Sequence, residues 1–451
     1  MTERAHILRH AGTILVGQLA VMAFGVTDTI VAARYADTAL ASLSVGSATY
    51  ISVHVALMGI VQALLPVWAE LQGAKQYARV GQSVRQALYI VMLTSSIGMA
   101  ILLHPDPFLE WAQVPTHLQL EVHDYLTVVA FGLPASLLFR LFGTLNQGLG
   151  RPRAVTLVQV VGLLCKVPLS ILLVLGVPGV FDPMGLVGCA WATLLVNITM
   201  VVFALVLLRV QDYYKPYDFW RRMEAPDFSV LGQFLKLGIP SGLAIGVEVT
   251  SFTLMALFIA RLGVVASASH QITASMAALL YMVPLSLSIA SSARVSYWLG
   301  ANQFERARKA LRNGLALVIV FGSLLSLLLV LFQKELVLFY TQSPAVSELA
   351  AELFYWLACY QIADALQVFC VFALRSYRVT LFPLLTYAIT LWGVGLAGGY
   401  AVSYGWVRFE NITWLQTNSP IAFWQTSSVA LVLTVLALFP VLWMHAYRKV
   451  R

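Results

Sequence analysis

Polar residues in this chain gather into short islands between apolar runs of about twenty residues, the length that crosses a hydrocarbon core as helix. The pattern predicts spans at about 11–33, 45–68, 87–103, 122–145, 155–178, 184–208, 237–260, 267–293, 314–333, 351–374, 381–402 and 421–446. Barrel strands would alternate over about ten residues, whereas these runs are unbroken. Helices satisfy their own backbone in lipid, so the expected class is an all-α membrane protein with twelve transmembrane helices. The stretch after Arg4 and Arg9 is too long for a cleavable signal and lacks a small-residue cleavage pattern, so the first helix is expected to be retained.

Composition agrees: 60% of the 451 residues are hydrophobic and only 11% are charged, too apolar for ordinary soluble domains. The net charge of +8 does not point to nucleic acid, because the basic residues are dispersed through short loops. Of the 28 Lys and Arg, Arg34, Arg261, Lys334 and Arg408 fall in the loops of one side, and Arg140, Lys166 and Arg294 lie in or at the edge of spans. The rest, Arg375, Arg378, Arg448, Lys449 and Arg451 among them, fall on the other side, so both termini are expected to be cytoplasmic. Cys165, Cys189, Cys359 and Cys370 all sit in apolar segments without Cys-x-x-Cys spacing, which suggests neither zinc nor a disulfide framework.

The chain repeats itself at a shift of 227 residues. AELQGAKQYARVGQSVRQAL (69–88) aligns with SYWLGANQFERARKALRNGL (296–315), matching Gly73 to Gly300, Gln76 to Gln303, Arg79 to Arg306 and Arg85 to Arg312. The same shift pairs Ala41-Ser42 with Ala268-Ser269 and Arg151 with Arg378. Six spans per copy make parallel repeats with a cavity expected between them. The predicted division is an N-terminal six-helix lobe (1–208), a cytoplasmic linker (209–236) rich in charge and aromatic residues, and a C-terminal six-helix lobe (237–451). The basic loops between second and third spans read as positive-inside surface helices or as patches for anionic lipid.

Three acids break this symmetry: Asp28 in AVMAFGVTDTIVAA, Glu248 in GLAIGVEVTSFTLMALFIA and Asp364 in YWLACYQIADALQVFCVFAL. A carboxylate at bilayer depth costs about 2.5–3.5 kcal/mol, so each needs a local reason. At the repeat shift they correspond to Met255, Val21 and Leu137, none acidic. The alternative to an ion-handling role is a structural ion pair. Asp28 has Lys166 and Arg140 in its own half, whereas the C-terminal acids have only Arg294 near their spans. An uncompensated buried carboxylate must hold a proton or a cation such as Na+, and Tyr360, one turn before Asp364, has a hydroxyl to add to that ligand set. His54 and His270 are further titratable candidates or core histidines. Pro66, Pro134, Pro168, Pro240, Pro284 and Pro383 are expected to bend helices around a cavity. No Walker loop, His-Glu-x-x-His or Gly-x-Ser-x-Gly motif occurs, so enzymatic chemistry and ATP drive have nothing to rest on and no cofactor is expected.

With VTDTIVAARY in the first span, GVEVTSF in the seventh and YQIADALQ in the tenth, the chain resembles the multidrug and toxic compound extrusion (MATE) family, in its NorM-type bacterial branch. That resemblance implies a V-shaped pair of helical bundles around a central cavity, exporting cationic amphipathic drugs by antiport with Na+ or H+. It assigns Glu248 and Asp364, with Tyr360, to C-lobe cation coupling, and Asp28 to N-lobe proton or substrate handling. Gln271 resembles a cavity-lining position, and Met276, Tyr281, Met282 and Phe369 are candidate apolar walls. The chain departs from its relatives beside the fifth-span proline, where LLCKVPLS places Lys166 and Ser170 instead of asparagines. A lysine there favours a fixed salt bridge with Asp28 and moves the coupling role to the C-lobe. The expected function is a cation-coupled multidrug exporter working by alternating access as a monomer among membrane lipids. The competing readings are a lipid-linked-sugar flippase of the same superfamily, or a membrane-embedded enzyme.

Overall fold

A computed structural model of the chain describes residues 2–111, 115–177, 179, 181–406 and 419–447, with the side chains of 108, 111 and 117 left aside. Arg408, Arg448, Lys449 and Arg451, which entered the charge count, lie outside the described residues. Among the described residues twelve helical segments are long and apolar enough to cross a membrane.

The chain divides into two compact units, Thr13–Gly242 and Leu243–Arg451 with Met1–Gly12. The first helix, α1 (Glu3–Tyr35), contributes to both, and α2 (Asp37–Gln62), α3 (Leu65–Gly73), α4 (Tyr77–Leu103), α5 (Asp106–Trp111), α6 (Thr116–Gly148), α7 (Pro152–Leu175) and α8 (Leu186–Val210) follow in the first unit. A 3-10 turn (Asp212–Tyr217) leads to α9 (Phe228–Ala260), which passes from the first unit into the second. Then come α10 (Val264–Gly300), α11 (Phe304–Leu331), α12 (Gln333–Tyr340), α13 (Pro344–Ser376), α14 (Leu381–Tyr387), a π-helical segment (Ala388–Ala397), α15 (Gly398–Ser403) and α16 (Ile421–Tyr447). Helix α13 is the buried centre of its unit: 83% of its apolar window is covered, chiefly by α10, α11 and α16.

Helices outrun the predicted spans at their polar ends. Helix α4 starts at Tyr77 rather than 87 and α11 at Phe304 rather than 314, because hydropathy marks only the lipid-crossing stretch while the helix continues into the interface. Pro134, Pro168, Pro240 and Pro284 lie inside helices, while Pro66 and Pro383 sit in the first turns of α3 and α14, where a missing N–H costs nothing.

The duplication is visible at single-bond level. The turn after α3 closes with Ala74 N–H to Glu70 O, Lys75 N–H to Gln72 O and Gln76 N–H to Leu71 O. After α10 the corresponding Ala301, Asn302 and Gln303 bond Tyr297, Leu299 and Trp298 in the same pattern. Lys75 (φ 57°) and Asn302 (φ 56°) both take the left-handed conformation that ends the helix. Further along, the register slips by one. Arg151 N–H bonds Asn146 O and its counterpart is Val379 bonding Leu374 O, so left-handed Gly150 (φ 75°) matches Arg378 (φ 64°). The equal-shift pairing of Arg151 with Arg378 is therefore off by one residue.

Candidate functional site

The C-terminal unit brings Glu248 and Asp364 together through a residue that sequence reasoning passed over. Helix α13 presents Tyr360, Asp364 and Gln367 on one face, spaced by four and three residues. The Gln367 side-chain amide donates to Asp364 Oδ1 at 3.1 Å and to Glu248 Oε1 on α9 at 3.4 Å. Asp364 is buried and Glu248 half-buried. Among the described residues neither carboxylate forms an ion pair. The only hint of Gln367 in the sequence is its place three residues after Asp364 in YQIADALQ.

Beside this pair lies a cavity of about 20 Å³, room for roughly one water molecule or small ion. Glu248, Ser251 and Phe252 of α9, Tyr360 of α13, Leu391 of the π-helical segment and Ser427 of α16 line it. Tyr360 is held by a triangle of edge-on rings: it meets Trp424 at 5.5 Å and Phe252 at 6.0 Å, and those two meet at 6.2 Å. The π-helical segment faces α9, where the Ser251 hydroxyl donates to Leu391 O at 3.5 Å. Such wide turns disturb the regular backbone ladder and cluster at functional sites.

The donors are hard oxygens. Gln367 Oε1, buried on α13, has no hydrogen-bond partner among the described residues, and the carboxylate oxygens with the Tyr360 and Ser251 hydroxyls complete the set. Hard oxygen donors suit a proton or an alkali cation rather than a soft metal, and among the described residues no His, Cys, Asp or Glu group has the makings of a transition-metal site.

Basic residues are placed differently from expectation. Arg294 is committed to Glu3 by two bonds, 2.7 and 3.0 Å, and Trp298 Nε1–H joins at 3.2 Å. Arg375 is not a loop residue: it lies in the last turn of α13, buried, within electrostatic reach of Glu248 and stacked over Phe372 at 4.5 Å. Charge patterning assigned it to a loop because the apolar run ends one residue earlier.

In the first unit, Asp28 of α1 meets Lys166 of α7 at 2.7 Å, and the Ser170 hydroxyl donates to the same carboxylate oxygen at 3.1 Å. Lys166 is fully buried and also donates to Thr193 Oγ1 at 2.6 Å and Cys189 O at 3.2 Å on α8. All three of its donors are used, so the pair is embedded in a satisfied network. His54 stacks on Tyr50 at 5.3 Å with Ser136 Oγ 3.4 Å away, and His270 is buried against Trp424 at 5.8 Å.

The candidate wall residues scatter. Met276 is buried in the unit, and Phe369 packs beside Gly314 on α11, where a Cβ would come within 3.0 Å of its ring. Tyr281 and Met282 are half-buried on α10, and Gln271 is exposed. Among the described residues none of these five lines the cavity next to Glu248.

A family profile described as MatE matches residues 13–172 and again 240–401, two stretches whose starts are one repeat shift apart and which lie one in each half. The chain belongs to the MatE family. A probable multidrug resistance protein NorM from Aromatoleum aromaticum is 38% identical over 96% of this chain and 92% of its own length. The multidrug resistance protein PmpM of Pseudomonas aeruginosa is 31% identical over 95% of this chain and 89% of its own. The fold is also that of a eukaryotic MATE transporter, AtDTX14, with TM-score 0.86 at 17% identity over 98% of this chain and 97% of that one. A MatE chain is a multi-pass membrane transporter rather than an enzyme, which removes the membrane-embedded enzyme from the possible readings.

Proposed function

We propose that this MatE protein is a secondary active exporter of cationic amphipathic compounds, driven by a monovalent cation, Na+ or a proton, that occupies the Glu248–Asp364 site. The observation that carries it is the pair of carboxylates bridged by Gln367 with no ion pair of their own among the described residues. Two such anions in a low-dielectric interior repel each other, and a small cation relieves that repulsion. The drug-resistance names of the relatives at 38% and 31% identity support the cargo class. Exchange of one monovalent cation for one singly charged cationic drug moves no net charge, so the ion's concentration gradient is the driving force, about 1.4 kcal/mol for each tenfold difference.

In this reading Asp28 and Lys166 are a structural pair, and the C-terminal unit does the coupling. Halves 1–208 and 237–451 are the alternating-access lobes, joined at 209–236 on the cytoplasmic side of the inner membrane with both termini. Aromatic faces and carboxylates hold the cationic cargo.

The test is dye export from liposomes holding purified protein, under an imposed Na+ or pH gradient. Glu248→Gln and Asp364→Asn are each expected to bring gradient-driven export to background. Export at the wild-type rate by both variants sinks the proposal. The gradient that supports wild-type export identifies the ion.

A further inference from the structure

The segment after α8 does more than connect. Its backbone is stapled to the first turns of α4: Arg85 donates to Glu224 Oε2 at 2.7 Å and to Asp218 O at 2.6 Å, and Tyr89 OH donates to Glu224 O at 2.9 Å. Gln86 clamps both sides of the turn, donating to Ala225 O and accepting from Asp227 N–H, each at 2.9 Å. Gly81 makes the approach feasible, since a Cβ there would lie 1.8 Å from Tyr217 O. The Arg85 hydrogen bond holds the Glu224 carboxyl down at about 2, so the clasp stays charged at any physiological pH.

This stapling builds an open groove of about 430 Å³, lined by Arg79, Gln82 and Arg85 from α4 and by Arg221, Arg222 and Glu224 from the segment. Glu224, the one carboxylate in the lining, is bonded to Arg85 and also lies within electrostatic reach of Arg221, so the exposed Arg79, Arg221 and Arg222 leave the groove with an excess of positive charge. Asp218, which also acts on Arg85, is not part of that lining. Met223, 41% exposed, lines the groove, and the same stretch of chain carries Trp220 next to Arg221 in sequence, 50% exposed, and Phe228 at the start of α9, 82% exposed. The groove opens on the side of the chain that carries most of its Lys and Arg. Three exposed guanidinium groups on one groove offer charge-assisted hydrogen bonds to a phosphate, and the aromatic and apolar neighbours match the glycerol-ester zone of a bilayer, where a soluble anion gains nothing from them.

We propose that the groove formed by Arg79, Arg221 and Arg222 binds the headgroup of an acidic phospholipid. The lipid phosphate sits between the arginines, with Trp220 and Phe228 dipping into the interface beside it. Binding of this kind anchors the segment between the halves to the membrane surface.

The test uses full-length protein in phosphatidylcholine vesicles with spin-labelled phosphatidylglycerol as probe, measuring its association relative to spin-labelled phosphatidylcholine. Each Arg→Gln change is expected to lower the phosphatidylglycerol preference roughly fivefold, following a contribution of about 1 kcal/mol per arginine near an anionic surface. The triple variant R79Q/R221Q/R222Q loses the preference, whereas R79K/R221K/R222K, which keeps the charge, retains part of it. An unchanged preference in the triple Gln variant overturns the proposal. So does displacement of the labelled lipid by inorganic phosphate at equal ionic strength, which would make the groove a site for soluble anions.

Discussion

Removing Lys166 tests whether the acid of the first unit is structural. Lys166→Met leaves the Asp28 carboxylate with Ser170 as its remaining side-chain partner at 3.1 Å, in a place where the lysine is fully buried. Breaking a buried pair from one side costs about 3–5 kcal/mol, because the surviving charge stays desolvated. Asp28→Asn is milder, near the lower end: Lys166 keeps Thr193 Oγ1 and Cys189 O, and the new amide oxygen still accepts from Ser170. The double variant Asp28→Leu/Lys166→Met removes both charges and returns to within about 1 kcal/mol of wild type, since apolar replacement of a buried pair is often neutral. Thermal unfolding of purified protein in one detergent reads the cycle. At about 2–4 °C per kcal/mol for a unit of this size, Lys166→Met lowers the midpoint by roughly 6–20 °C, and the double variant regains most of it. A Lys166→Met midpoint equal to wild type, or a double variant no better than Lys166→Met, refutes the assignment.

Gly81→Ala forces a methyl onto Tyr217 O and is expected to loosen the segment at a cost of about 1–3 kcal/mol; protease cleavage within 212–227 faster than in wild type checks it. The Arg85–Glu224 clasp has a defined pH window. The Glu224 carboxyl sits at about 2, below its ordinary value of 4.5, so its contribution is fully present above that ordinary value and is lost as pH falls toward 2. Cleavage of the same segment by an acid-active protease should accelerate only below about pH 4 in wild type, and Glu224→Gln should show the fast rate at every pH. Gln367→Leu removes the bridge between the two carboxylates while leaving both charges, so the half-saturating cation concentration for dye export should shift, with the protein still assembled in the membrane. An unshifted concentration dependence places Gln367 outside the cation site.

Much of the candidate site was visible in one dimension. Asp28, Glu248 and Asp364 stand out because a carboxylate in an apolar run is costly wherever the helices go. Lys166 beside the fifth-span proline pointed to its pairing with Asp28, and the structure brings them to 2.7 Å. Gln367 did not stand out, since a glutamine on a buried helix costs far less than a charge and its value lies in reaching α9 across a helix interface. Arg294 and Arg375 exchanged their expected roles for the same reason: both lie near the ends of apolar runs, and packing alone sends one to Glu3 and buries the other near Glu248.

Bilayer thickness and the cost of burying charge act on each segment separately, so the sequence by itself determined the twelve spans, the duplication and the three acids. Which side chains meet depends on how helices distant in sequence turn toward each other. Only the tertiary structure decided that Gln367 joins Glu248 to Asp364, that the π-helical segment of 388–397 lies against α9, and that Arg85 ties the segment after α8 to α4. Hydropathy is blind to these because a one-residue rotation of a helix, about 100°, leaves its apolar content unchanged and alters every partner.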